Sequence, residues 1–129
     1  MRVFVDSDVL IAHLRGERRA LSFFRKVAAR EGAQLWVGAV QRAEIVFFMR
    51  RHEEPKTLAL LSRFRTEPLT QQAVDLGGAY YRKWHPSHGT DVNDALLAAT
   101  VTLAGGHLYT LNTKHYPMDD LVVRRAWAG

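Results

Sequence analysis

The 129-residue sequence contains no cysteine. Disulfides, a thiolate nucleophile and a Cys-ligated zinc site are therefore excluded, and the chain suits a reducing compartment, so a cytoplasmic location is expected. Long apolar runs are missing as well. Ala95-Leu96-Leu97-Ala98-Ala99, the longest in the C-terminal half, falls far short of the roughly 20 residues of a membrane span, and no membrane partner is expected. The stretch after Arg2 is broken by Asp6 and Asp8 and lacks a small-residue cleavage site, which argues against a signal peptide. There is no repeat, low-complexity tract or linker, so 1–129 is expected to be a single domain large enough to bury a core. The hydrophobic content of 47% excludes disorder. The six histidines are scattered, with no pair at metal-ligand spacing.

Basic residues outnumber acidic ones, 18 to 13, giving a net charge of +5. Much of the surplus is arginine, whose planar fork matches phosphate in a way lysine cannot. A polyanion partner is expected, nucleic acid or acidic protein. Arg15, Arg18 and Arg19 form one basic cluster and Arg50-Arg51-His52 another. Each can contact RNA phosphate or simply be a solvated face.

Short β-favouring runs alternate with amphipathic segments, the pattern of a parallel sheet flanked by helices. Strands are predicted at Val3 to Val5, Leu35 to Val37, Thr66 to Leu69, His107 to Thr110 and Leu121 to Val123. Helices are predicted at Asp8 to Leu14, Arg18 to Arg30, Val40 to Arg51, Lys56 to Phe64, Gln71 to Trp84 and Asp91 to Ala104. The second helix carries an apolar stripe of Ala20, Leu21, Phe24, Val27 and Ala28, and the fifth one of Ala73, Leu76, Ala79, Tyr80 and Lys83. Pro86 to Gly89 reads as a loop.

Four positions carry the chemistry. Asp6 directly follows the first strand, and open α/β sheets bind ligands beyond the carboxyl ends of their strands. Glu44 has Val40, Phe47 and Phe48 as its i−4, i+3 and i+4 neighbours, so it lies on or beside an apolar stripe. A carboxylate there needs a metal or an ion pair, for example with Arg42. Asp94 precedes Leu97, Ala98 and Val101 on an inward helix face; Asp91, one turn earlier, suits a helix cap better. Asp94 lies deeper, which favours a role beyond capping. Asn112 follows the strand His107 to Thr110 and should face the crevice of Asp6. Clustered carboxylates repel one another and normally hold a divalent ion, and hard oxygen ligands favour Mg²⁺ or Mn²⁺. Metal-assisted phosphodiester hydrolysis is the chemistry such a site supports. His88 and His115 can lie near the groove but read first as surface loop residues, and Trp36, Trp84 and Trp127 read as core or interface rather than base-stacking platforms.

Four segments together resemble the PIN domain family and its VapC-type toxins: Val3-Phe4-Val5-Asp6-Ser7-Asp8-Val9-Leu10, Val40-Gln41-Arg42-Ala43-Glu44-Ile45, Asn93-Asp94-Ala95-Leu96-Leu97-Ala98-Ala99-Thr100 and Thr110 to Met118. The resemblance spans essentially the whole chain. It implies a three-layer α/β/α fold around a mainly parallel sheet, and a ribonuclease toxin of a toxin–antitoxin pair. It also implies a homodimer, dependence on Mg²⁺ or Mn²⁺, and silencing by a cognate antitoxin. Asp6, Glu44 and Asp94 would be catalytic and metal-binding. Asn112 stands where many relatives carry a fourth acid, so it would give the metal a carbonyl oxygen, with Ser7 and Asp91 in support.

Two other readings fit parts of the sequence. Asp6-Ser7-Asp8-Val9 also matches the nucleophile motif of haloacid-dehalogenase-type phosphatases, with Asp6 attacking phosphorus, Asp8 as acid/base, and Lys114 and Asp119-Asp120 as remote partners. There Asp8 would be essential, whereas in a PIN ribonuclease it would be largely dispensable. The other is a PIN-like domain that binds RNA or a partner without cleaving.

Overall fold

The computed structural model describes residues 1–128. Its centre is a wholly parallel sheet of β1 (Arg2–Val5), β2 (Gln34–Gly38), β3 (Arg65–Glu67), β4 (His107–Thr110) and β5 (Val122–Arg125), in the order β3-β2-β1-β4-β5. Parallel strands need crossovers, and helices supply most of them. α1 (Ser7–Leu14) and α2 (Arg18–Ala28) join β1 to β2. α3 (Ala39–Phe48), a 3₁₀ turn at Arg51–Glu53 and α4 (Glu54–Leu61) join β2 to β3. α5 (Gln71–His88) and α6 (Val92–Ala104) carry the chain back across to β4.

A parallel sheet is buried on both faces, and successive side chains of a strand point to opposite sides. β1 obeys this rule. Val3 and Val5 enter a core with Val9 and Leu10 of α1, Phe23 and Phe24 of α2, and Leu61 of α4. Phe4 points the other way, into a core with Tyr80 of α5 and Leu97, Ala98 and Val101 of α6. Phe4 has no exposed surface, and burying a side chain of that kind is worth about 1.5–3 kcal/mol.

The strand order reverses direction at β1, which pairs with β2 on one side and β4 on the other. At such a switch point the flanking connections leave in opposite directions and open a crevice at the carboxyl ends of the strands. The Asp6 amide still bonds to the Tyr109 carbonyl of β4 (3.0 Å). The chain then turns at once into α1, with the Asp6 side chain capping it at Ser7.

Several local expectations need correcting. Pro86 lies inside α5, which runs on to His88. The proline removes one hydrogen bond only, in an exposed last turn. Gly89, at φ +68°, closes that turn by donating to the His85 carbonyl (3.1 Å), a left-handed cap that glycine adopts without strain. In α2, Leu21 and Ala28 are exposed and Phe23 is buried. In α5, Ala79 and Lys83 are exposed and Gly77 is buried. α3 stops at Phe48, and it presents Gln41 and Ile45 to the interior while Phe47 and Phe48 remain in solvent. Helical periodicity locates an apolar stripe but not which edge of it meets the sheet.

Gly106 packs against β1. A Cβ there would lie 2.8 Å from the Arg2 carbonyl oxygen and 2.8 Å from Phe4 Cδ2. Neither backbone nor a fully buried ring can yield cheaply, so Gly106→Ala is expected to destabilise the fold by about 1–3 kcal/mol in urea unfolding. A midpoint equal to the parent's would show that β1 and β4 can separate slightly without cost.

Candidate active site

At the carboxyl end of β1, Asp6 is the hub of a cluster in which hydroxyls alternate with carboxylates. The Ser7 hydroxyl lies 3.5 Å from Asp6 Oδ1 and 3.4 Å from Glu44 Oε1. The Thr110 hydroxyl lies 3.0 Å from Asp6 Oδ2 and 3.2 Å from Asp8 Oδ2. The Tyr116 hydroxyl lies 2.7 Å from Asp6 Oδ2 and 3.1 Å from Asp94 Oδ1. Each hydroxyl thus stands between Asp6 and a different acid. A hydroxyl has one proton and can donate to one of its two carboxylates at a time. The cluster is short of positive charge by construction.

Nothing else nearby makes up the deficit. Among the described residues no Lys or Arg pairs with Asp6, Asp8, Glu44 or Asp94, and His115, with Nδ1 3.1 Å from Asp94 Oδ2, is the one basic neighbour. Glu44 accepts from the Ser7 hydroxyl (3.4 Å). The alternative of an ion pair with Arg42 is not what the structure shows: that guanidinium donates to the Thr66 hydroxyl (3.4 Å). Partial positive charge comes instead from helix ends. Asp6 caps α1, and Asp91 caps α6 in a reciprocal box: the Asp94 amide donates to Asp91 Oδ1 (2.7 Å) and the Asp91 amide to Asp94 Oδ2 (3.1 Å).

Burial raises every acid of the cluster, and crowding adds to it at Asp8, Glu44 and Asp94. Asp6 is raised by burial, although Tyr116, Thr110 and Ser7 pull it back. Asp8 is pushed up to about 6 by burial and by the charge of Asp6. Glu44 and Asp94 are raised by burial first and by neighbouring carboxylates after it. The Tyr116 phenol is raised well above its ordinary value by burial and by Asp6 and Asp94, so it remains a donor. Asp8 Oδ2 accepts from Thr110 and from the Leu111 amide (3.0 Å), while its Oδ1 is buried with no partner.

Asp6, Ser7, Glu44 and Asp94 are thus brought together as expected. Asp94 shares the cap with Asp91 and, beyond it, accepts from the Tyr116 hydroxyl and lies 3.1 Å from His115 Nδ1. Asp91 is exposed and touches the cluster through Asp94. Asn112 is exposed, and its amide is turned to His115 Nδ1 (2.9 Å) rather than to Asp6. Asp8, set aside in the sequence as dispensable, belongs to the network. Thr110 and Tyr116 were not anticipated, and His115 is not an isolated surface residue. The strand-end logic that selects Asp6 also selects Thr110, but nothing periodic marks Tyr116. Of the basic trio, Arg15 lines a groove of about 370 Å³ beside Glu44, with Ile11, Leu14, Phe48 and Arg50. Arg19 is paired to Glu17 (3.0 Å), and Arg18 is exposed. The remote partners of a phosphatase are absent from the cluster. Lys114 is exposed and makes none of its contacts, and Asp120 accepts from Tyr80 (2.8 Å).

The family model of the PIN domain matches residues 3–121. The chain belongs to the PIN domain family. It is 38% identical over 119 residues to Ribonuclease VapC10 of Mycobacterium tuberculosis H37Rv, covering 92% of this chain and 88% of the relative. The same match is found in the CDC 1551 strain. VapBC2 from Rickettsia felis, solved with a promoter DNA fragment, superposes with a TM-score of 0.82 over 99% of this chain and 100% of that one, at 15% identity. A toxin–antitoxin complex from Klebsiella pneumoniae superposes with a TM-score of 0.77 over 97% and 98%, at 23% identity. Those two superpositions bear on the fold, and the PIN architecture places Asp6 at its sheet reversal.

Because the folded value of Asp8 lies above its unfolded one, its protonation favours the native state. That contribution is complete below about pH 4 and is lost as the pH rises through about 6. In EDTA the melting temperature is expected to fall across this window, and Asp8→Asn should flatten the fall and stabilise the protein at pH 7 by about 1–3 kcal/mol. Asp8→Ala should instead destabilise it, since the Leu111 amide loses its acceptor. An unchanged pH profile in Asp8→Asn would show that Asp8 is solvated.

Proposed function

We propose that this PIN domain is a divalent-metal-dependent endoribonuclease, the toxin of a toxin–antitoxin pair acting in the cytoplasm. The observation that carries the reading is the set of four carboxylates gathered at the sheet reversal without a Lys or Arg among them. The 38% identity to a named ribonuclease supports it.

The residues present suit a hard cation by chemistry. Every donor is oxygen, one buried oxygen of Asp8 is unpartnered, and burial and mutual repulsion disfavour the charged acids as they stand. Among the described residues, no three acid or imidazole groups already converge as a ready-made metal cage; hydroxyls lie between them. Asp6, Glu44 and Asp94 would hold Mg²⁺ or Mn²⁺, and Asn112 would contribute through His115. When bound, such an ion activates water and neutralises charge on the scissile phosphate.

This chain's own residues do the positioning. Tyr116 and Thr110 both donate toward Asp6 Oδ2 and fix its rotamer, and the Ser7 amide holds the other oxygen (2.8 Å). Asp91 and His115 orient Asp94. Arg15 and Arg50 beside Glu44 offer phosphate contacts for RNA. The adjoining apolar wall of Ile11, Leu14 and Phe48 suits an antitoxin segment. A homodimer is part of the same reading, as is a domain that extends over 1–129.

The test is cleavage of structured RNA by purified protein freed of partner. Mg²⁺ or Mn²⁺ should support cleavage and EDTA abolish it. Asp6→Asn, Glu44→Gln and Asp94→Asn should each lower the rate by about 100-fold or more, since even residues behind metal ligands cost 10–100-fold. Tyr116→Phe should lower it about tenfold or more while raising the metal concentration required. Cleavage that persists in EDTA, or in Asp6→Asn, would overturn the assignment.

A further inference from the structure

A second cavity, of about 280 Å³, lies outside the acidic cluster, between α2 and the β4–β5 edge. Its walls include Arg19, Lys26, Arg30 and Arg125, over a floor of Tyr109 and Trp127. Two of the arginines are held in place by neutral groups. Arg30 donates to the Tyr109 hydroxyl (2.8 Å). Arg125 donates to the Leu111 carbonyl (2.8 Å) and the Trp127 carbonyl (2.9 Å). Among the described residues no carboxylate pairs with Lys26, Arg30 or Arg125; only Arg19 is matched, by Glu17. Each guanidinium has five N–H donors, so most of those on Arg30 and Arg125 are left for a ligand. Preorganised, unneutralised guanidiniums around a concavity are the arrangement that recognises phosphate.

The cavity is also joined to the candidate active site. Tyr109 gives its carbonyl to the Asp6 amide, and the Leu111 that receives Arg125 gives its own amide to Asp8. Four acids at the reaction centre repel an RNA strand, and a cationic seat beside them offsets that repulsion.

We propose that this cavity binds adjacent backbone phosphates of the RNA substrate, one or more nucleotides away from the scissile bond, through Lys26, Arg30 and Arg125. The proposal rests on the ribonuclease reading and names a further contact for its substrate.

Anisotropy of a labelled single-stranded RNA, titrated with the full chain in EDTA across a salt series, tests it. Lys26→Gln/Arg30→Gln should weaken binding roughly tenfold near 0.1 M salt and reduce the log–log salt slope by about 1.4, the value for two contacts on a single strand. Lys26→Gln alone removes a side chain with no hydrogen bond or ion pair among the described residues, so the fold is spared; it should reduce the slope by about 0.7. Arg82→Gln/Lys83→Gln removes equal charge from the exposed side of α5, across the sheet, and should leave affinity within about twofold and the slope unchanged. Equal losses in both double variants would reduce the cavity to general surface charge and overturn the proposal. Parental binding in Lys26→Gln/Arg30→Gln would overturn it while leaving the ribonuclease reading intact. A parent chain that binds no RNA would remove both readings together.

Discussion

The crowding of half-buried acids around the buried Asp6, each deprived of water first and repelled by its neighbours second, governs this protein. Asp6 has Asp8, Glu44 and Asp94 around it, and the three spacers between them are hydroxyls with a single proton each. Such a group of charges would drive its own elements apart if packing elsewhere did not hold them. The two cores on either side of the sheet provide that restraint, with Phe4 on one face and Val3 and Val5 on the other, immediately before the acid they position. The helix ends at Asp6 and Asp91 temper the repulsion but do not cancel it, since a helix terminus offers only about half an elementary charge.

The topology explains why the repulsion is concentrated here. Strand order reverses between β1 and β4, so Asp6 and Thr110 end up side by side although 104 residues separate them. Glu44 arrives from α3 and Asp94 from the first turn of α6. Four elements therefore meet at one edge, each fixed by its own packing. Basic residues are kept off the acids and gathered in flanking concavities, Arg15 and Arg50 on one side and Lys26, Arg30 and Arg125 on the other. The charge pattern is acid at the centre and base at the rim, which suits a polyanion that must be held while one of its phosphates is approached by a cation.

Much of this was legible in the residues, for identifiable reasons. Val3-Phe4-Val5 ending in Asp6 shows both a strand and its functional end, because a parallel strand is apolar throughout and its carboxyl terminus is where polar groups gather. Glu44 and Asp94 could be read from their apolar neighbours, but the reason in the case of Glu44 was only half right. Phe47 and Phe48 are in solvent, and the residues that bury on that helix are Gln41 and Ile45. Asp8 enters the sequence reading only as the residue that separates a phosphatase from a PIN ribonuclease; its place in the network, through the Leu111 amide and the Thr110 hydroxyl, depends on residues about a hundred positions away and has no local signal. Tyr116 and His115 lie in an irregular segment after β4, where no period links sequence to direction. Pro86 misled for a related reason: helix-breaking is a local rule, and the Gly89 cap together with the His85 contact to the Thr90 carbonyl (2.9 Å) overrides it.

The Tyr116 contact to Asp6 spans 110 residues of sequence. A ribosome delivers the chain from its amino end, so Asp6 is in the open long before the tyrosine that positions it has been made. Neither α1 nor the first two strands can assemble the cluster alone, because Thr110 and Tyr116 both come from the closing segment. Competence therefore arrives late in synthesis, as β4 inserts beside β1. Fragments released by premature termination carry the acids without the framework. The order of synthesis thus keeps the acids without their hydroxyl framework until β4 and the segment after it have been made.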